Sequence, residues 1–377
     1  MTDIKLLNGN VMSNLFKDIY NQKFYSEFSR VVNSVVSDFS IDEFNRLIFT
    51  DLFDAMELKE RMAHTSNVLH GFLSADFKQA SEQLIDIITA LEAKGIKEQS
   101  VEYMFFPHYI EQYGIDDLDN AIIAFERITQ FTSAEFAVRP FLIRYPDLML
   151  TQMIQWAKHS HASVRRLASE GSRPRLPWAI ALPTFKKNPQ PLLIILDTLK
   201  NDVNEVVRRS VANNLNDIAK DNPDFVVQFA QANLGETLAT DKLIKHACRT
   251  LLKQGNSDVL ALYGLSSDDL SVNNLILHNE TVKVGGELTF EFELKNYINK
   301  ARIVRIEYAI HYLKKNGSLA PKVFKISERE LGGKQTLVIN RKQSFKIITT
   351  RVFHLGQHQV SIIVNGKTFI SKDFRLI

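Results

Sequence analysis

Glu170 is the one acid in a strip, His159 to Lys187, that carries six basic residues: Arg165, Arg166, Arg173, Arg175, Lys186 and Lys187. Such a strip suits phosphates. A lone carboxylate inside it is out of place for that task, and suits instead the stabilisation of a cation carried by the nucleic acid itself. Its surroundings are unusual for a packed helix. In ASEGSRPRLPW, Ala168 to Trp178, a helix presents Glu170, Gly171 ends it as a C′ residue, and Pro174 and Pro177 forbid its resumption. Arg173 and Arg175 are then expected to project from a constrained loop. Trp178 either closes a site or anchors that loop in the core.

Other polar residues recur at helical spacing. Glu135 and Arg139 lie four apart on a helix expected to begin near Ser133, as do Arg166 and Glu170 on a later helix; Arg209, Asn213 and Asp217 share the side opposite a row of valines. Surface i,i+4 pairs worth about 0.2–0.5 kcal/mol each explain such spacings equally well. Asn214 falls within the apolar face, where its amide requires a partner. No Gly-rich phosphate loop, dinucleotide fingerprint, His-Glu-x-x-His or Gly-x-Ser-x-Gly motif occurs. Cys248 is the only cysteine, and His159 and His161 lack further ligands nearby, so neither a metal nor another cofactor is expected.

The elements that must position these groups read as a helical repeat. From Val11 to about Gly255 apolar residues recur at helical spacing, with Leu192, Ile195, Leu196 and Leu199 on one face and Val203, Val206, Val207, Val211, Leu215 and Ile218 on the next. The phrases beginning at Val164, Val207 and Ile244 align as second helices of successive units, which is the grammar of a HEAT-like α-solenoid. His246 and Arg249 fall at equivalent repeat positions. After Leu270 the period becomes two: Leu288 to Leu294 alternates strictly, and Asn316-Gly317, Gly332-Gly333 and Asn365-Gly366 mark turns. The expected class is mainly α, with a solenoid over residues 1–265 and an all-β immunoglobulin-like sandwich over residues 271–377. The segment Gln254 to Ser271 begins as a last helix and ends as a linker.

Charge is distributed unevenly along this plan. Residues 1–130 hold 11 Lys/Arg against 21 Asp/Glu, whereas residues 271–377 hold 18 against 8. The later chain therefore suits a polyanion. The polar N-terminus and the lack of a long apolar run lead us to expect a cytoplasmic protein.

ASEGSRPRLPW, together with FTSAEFAVRPFL (Phe131 to Leu142) and VRRSVANNLNDIAKDNPD (Val207 to Asp224), resembles the AlkC family of bacterial DNA alkylation repair glycosylases. One subgroup of that family also carries an immunoglobulin-like C-terminal domain. The resemblance implies excision of N-alkylated bases such as 3-methyladenine and 3-methylcytosine from double-stranded DNA, without base flipping; a monomer is expected. It places the motif carboxylates on Glu135 and Glu170, the loop aromatic on Trp178 and a further acid on Asp217. Arg166, Arg173, Arg175, Lys186, Lys187, Arg209, Asn213 and Arg249 are then the candidate DNA contacts. The alternative from another class is a non-catalytic HEAT-repeat scaffold that binds DNA or protein.

Overall fold

The computed structural model describes residues 17–96, 100–347 and 352–377. The chain divides into two compact units, one formed by the chain up to Val226 with Asn233–Ala247, the other by Val227–Ala232 with Cys248–Ile377. Every described strand lies in the second.

Several helices of the first unit begin where short polar side chains accept hydrogen bonds from otherwise unpaired N–H groups. Asn21, Ser40, Asp76 and Asn204 each do so. His161 does the same through Nδ1, which accepts from the Ser163 N–H at 3.2 Å, while His159 Nδ1 accepts from the His161 N–H at 2.9 Å. The histidine pair is thus a capping device. Among the described residues no group of His, Cys, Asp and Glu could hold a metal ion, and no helix is long and apolar enough to cross a membrane.

Successive second helices stack side by side: Ala162–Gly171 packs on Glu205–Ile218, which packs on Leu238–Ala247. The first helices Pro146–Trp156 and Leu193–Leu199 also meet, completing a helical solenoid. Leu192, Ile195, Leu196 and Leu199 are buried, as their spacing predicts. Val203 departs from that prediction, being 92% exposed. The Asn204 side chain caps the helix, which starts at Glu205, so Val203 lies in the turn before it. Val206 is also exposed, because the buried stripe is set by Val207, Ser210, Val211, Asn214 and Ile218. Asn214 finds its partners there: Nδ2 donates to the Ser169 carbonyl at 2.8 Å and to Ser172 Oγ at 3.3 Å. The Leu238–Ala247 helix stops before Arg249, which opens a separate helix, Arg249–Gln254, in the second unit, so the repeat equivalence expected of Arg249 does not hold.

The second unit contains a sandwich of two sheets. β1 (Leu270–Leu277), β3 (Glu287–Asn296) and β6 (Thr336–Ser344) form one, in the order β1-β3-β6. β2 (Thr281–Val282), β4 (Arg302–Leu313), β5 (Leu319–Leu331), β7 (Gly356–Val364) and β8 (Lys367–Leu376) form the other, in the order β2-β8-β7-β4-β5. Leu288, Phe290, Phe292 and Leu294 of β3 are fully buried against Val304, Ile306 and Ile310 of β4, so the period-two pattern of both strands points into one core.

What sequence reads as a last helix and a linker is two short helices, Arg249–Gln254 and Ser257–Leu262, tied to the sandwich. Asn365 and Gly366 form the tight turn between β7 and β8 with φ of 47° and 78°, and the Asn365 side chain donates to the Ser266 carbonyl. A Cβ on Gly366 would stand 2.0 Å from the Gly255 carbonyl oxygen. Gly366→Ala is therefore expected to destabilise the protein by at least about 2 kcal/mol, from left-handed strain plus overpacking. Gly317 has φ of 81° but open space around it. Gly317→Ala should cost only the strain, about 1 kcal/mol, and equal urea midpoints for the two variants would refute the close approach as the cause.

Candidate active site

The Ala162–Gly171 helix ends without a left-handed residue: Gly171 is its last helical residue and Ser172, at φ −89°, follows. The expected C′ role of Gly171 is thereby corrected. Glycine is required instead by close packing, since a Cβ there would lie 2.7 Å from Val138 Cγ2. Ser172 Oγ returns a hydrogen bond to the Ala168 carbonyl at 2.7 Å, which steers the chain out of the helix.

Arg139 holds the loop that follows. It is fully buried, and donates from Nε to the Ile180 carbonyl at 2.6 Å and from Nη1 to those of Gly171 and Arg173 at 2.9 and 2.8 Å. The i,i+4 pair expected with Glu135 does not form, because Glu135 lies in a turn ahead of the Val138–Arg144 helix. Burial, reinforced by the neighbouring Arg173 charge, pulls the Arg139 guanidinium down to about 10. Sequence reasoning missed this residue as a structural centre; the available signal was its place beside the apolar face marked by Val138 and Leu142.

An alternating chain of charges crosses the stacked helices. Glu135 Oε2 accepts from Arg166 Nη2 at 2.6 Å and from Ser133 Oγ at 2.8 Å. Arg166 Nη2 stands 4.0 Å from Glu170 Oε2, and Glu170 Oε1 accepts from Arg173 Nη1 at 2.5 Å. Arg173 reaches Asp217 Oδ2 through Nε at 2.8 Å and Nη2 at 2.7 Å, and Asp217 Oδ1 accepts from Lys220 at 2.8 Å. Arg173 is 7% exposed, so it does not project from the loop as its position in the sequence suggests. Burial works against its charge, but Glu170 and Asp217 hold its ionisation above the ordinary range. Asp217, 2% exposed, faces this arginine rather than solvent.

Glu135 and Glu170 line one cleft of about 420 Å³, whose apolar wall includes Tyr20, Met62, Phe136 and Pro177. Trp178 stands at its edge, 70% exposed, which excludes the core-anchor alternative. Its φ of +65° is a left-handed setting that costs a non-glycine residue about 1–2 kcal/mol. Tyr20, Met62 and Lys59, whose ammonium group bonds the Trp178 carbonyl, come from the N-terminal third, where sequence offers no motif.

The remaining basic candidates are spread out. Arg175 makes a two-pronged pair with Asp221 at 2.7 and 2.6 Å, while Arg209 is an exposed partner of Glu205 at 2.9 Å. Asn213 Oδ1 lies 3.0 Å from His246 Nε2. Lys186 and Lys187 end the short Pro183–Lys187 helix, Lys187 exposed and Lys186 half-buried.

Comparison with known proteins gives this arrangement a family. A family model described as DNA alkylation repair enzyme matches residues 115–251, and one described as the C-terminal Ig-like domain of the uncharacterised protein YhaZ matches residues 271–377. The uncharacterized protein YhaZ of Bacillus subtilis (strain 168) is 39% identical over 361 residues, 96% of this chain and 99% of its own. The solved structure of Pseudomonas fluorescens alkylpurine DNA glycosylase AlkC, bound to DNA containing an abasic site analog, is 33% identical, with a TM-score of 0.81 over 96% of this chain and 98% of that one. The chain belongs to the AlkC family. In this AlkC-family chain Glu135, Glu170, Trp178 and Asp217 all fall inside the matched alkylation-repair segment, whereas Lys59, Tyr20 and Met62 lie outside it.

Chemically, the cleft combines three carboxylates, Glu102, Glu135 and Glu170, and the Arg173 guanidinium with an apolar wall and an exposed indole. Carboxylates preorganised where water is scarce stabilise a developing cation more strongly than they would in bulk solvent. An indole face adds a further attraction for the same charge.

Proposed function

We propose that the protein is a monofunctional DNA glycosylase that removes positively charged N-alkylated bases, of the 3-methyladenine and 3-methylcytosine type, from double-stranded DNA. The observation that carries this reading is that Glu170 and Glu135 line one cleft with a largely apolar wall, edged by Trp178. An N3-alkylated base already bears a positive charge. When its bond to C1′ breaks, the electron pair leaves with the base, which departs neutral, and the sugar becomes oxocarbenium-like. Glu170, with Glu135 assisting, stabilises that centre; water adds to C1′ and gives its proton to a carboxylate. The backbone stays intact at the resulting abasic site. Asp217 acts from behind, by fixing Arg173 against Glu170. The base need not enter the cleft.

Lys186, Lys187, Arg209 and Asn213 are the proposed phosphate contacts, with Arg166 and Arg175 near the lesion, and the basic sandwich of residues 271–377 adds to duplex affinity while the helical region to residue 265 carries the chemistry. The protein acts as a monomer on the duplex. The test is chromatography of bases released from methylated duplex DNA. Release of free 3-methyladenine or 3-methylcytosine supports the reading, and release of no methylated base by the wild-type protein overturns it in favour of a DNA-binding scaffold.

Trp178 gives a sharper expectation. Trp178→Gly removes an exposed ring and relieves the left-handed setting, so stability should stay within about 1 kcal/mol of wild type. Excision should fall on the order of tenfold through loss of the indole's attraction for the cationic sugar. A variant that loses stability but keeps its excision rate would contradict this assignment.

A further inference from the structure

Two bonds hold the backbone around Trp178 among the described contacts of that loop: one closes the turn from Leu176 to Ala179, with Pro177 and Trp178 at its centre, and the other comes from Lys59. Arg139 secures the loop at Gly171, Arg173 and Ile180, the Leu182 N–H donates to the Pro174 carbonyl at 3.1 Å, and the Ala179 N–H to the Leu176 carbonyl at 3.3 Å. Trp178 itself adopts φ of +65°, a setting that persists only when neighbours over-determine it. The indole cannot supply that restraint by packing, because the residue is 70% exposed. The remaining bond is from the Lys59 ammonium to the Trp178 carbonyl.

Lys59 is well placed to act as a strap. It stands in the first turn of the Leu58–His70 helix, and its ammonium also lies 5.2 Å from the centre of the Phe136 ring, the residue next to Glu135. One side chain therefore spans the N-terminal helices, the Glu135 turn and the Trp178 loop. Both Lys59 and Trp178 also line a second cleft beside the one that holds the carboxylates, with Met62, Phe136 and Ile180.

We propose that Lys59 is a positioning residue for base excision: bonded to the Trp178 carbonyl, it reinforces the turn from Leu176 to Ala179 that carries Trp178 in its left-handed setting and so sets the indole at the edge of the carboxylate cleft. This rests on the glycosylase reading for its effect on rate, but the strap itself is read independently. The protein has two tryptophans, and Trp156 is buried, so changes in mobile indole emission report Trp178.

The test compares Lys59→Met, which keeps an unbranched side chain but removes the ammonium, with Lys59→Arg, which restores a donor. In Lys59→Met the indole fluorescence anisotropy should drop and single-turnover excision should slow by about tenfold, the scale of a misplaced group. Affinity for undamaged duplex and the thermal midpoint should stay at wild-type values, and Lys59→Arg should recover both rate and anisotropy. Wild-type anisotropy in Lys59→Met overturns the proposal whatever the rate does. So does weaker duplex binding with an unchanged maximal rate, which would make Lys59 a phosphate contact, or a fall in rate that tracks a fall in thermal midpoint and is not recovered by arginine. Should the wild-type protein release no base, the glycosylase reading fails, while the anisotropy comparison still decides the strap.

Discussion

Glu170→Gln is expected to slow base excision by two to three orders of magnitude while duplex affinity stays within a few-fold of wild type. The substitution keeps the shape of the side chain and an oxygen that can accept from Arg173, so the local geometry survives. It removes the charge. Losing one preorganised electrostatic group, or one positioned base, costs on the order of a hundred- to a thousandfold. Glu135→Gln should cost less, because Glu135 Oε2 is already shared between Arg166 and Ser133 at 2.6 and 2.8 Å. Glu170 also lines the cleft; its Oε1 is held by Arg173 at 2.5 Å, whereas Oε2 stands 4.0 Å from Arg166, a looser contact than either one at Glu135. Single-turnover rates at saturating enzyme, with binding to undamaged duplex measured in parallel, check both. An excision rate for Glu170→Gln equal to that of the parent would sink the assignment.

Arg173→Met should be the most damaging of the basic substitutions for stability, by about 3–5 kcal/mol. It leaves Glu170 and Asp217 as buried carboxylates that have lost their shared cation, at side-chain exposures of only 7% and 3%. Arg175→Met, which breaks a more exposed pair with Asp221, should cost no more than about 1 kcal/mol. Urea midpoints with unchanged slopes measure the contrast. A second substitution, Asp217→Asn, should recover part of the loss in Arg173→Met, because it removes one of the two buried charges that Arg173 had balanced, the one that keeps only Lys220. If Arg173→Met and Arg175→Met prove equally mild, Arg173 is not the buried keystone that its contacts indicate.

Much of this architecture was legible from the chain. The alternation from Leu288 to Leu294, the apolar face of Leu192 to Leu199 and the Asn365-Gly366 turn each depend on neighbours within a few residues, and periodicity reports those directly. The run from Ala168 to Trp178 marked the loop that edges the cleft. What periodicity could not report was which way charged side chains turn. Arg173 meets Asp217 44 positions on, and Arg166 meets Glu135 31 positions back, so an arginine that looks like a phosphate contact becomes a buried partner only when helices of successive repeats lie side by side. The same holds for Gly171, whose need for a missing Cβ comes from Val138 on another helix. Lys59 carried no signal at all, because its role depends on a carbonyl 119 residues away.

Solenoids grow and shrink in evolution by gaining or losing whole helical pairs, since each unit contacts only its neighbours. The charge chain from Glu135 through Arg166, Glu170 and Arg173 to Asp217 withdraws that freedom from the Glu135 turn, across the Ala162–Gly171 helix and its following loop, to the Glu205–Ile218 helix. A pair inserted between Glu135 and Arg166, or between Arg173 and Asp217, would separate partners that must touch across adjacent repeats. Length variation among relatives should therefore fall outside this stretch, with the site acting as a fixed ruler inside an otherwise modular array.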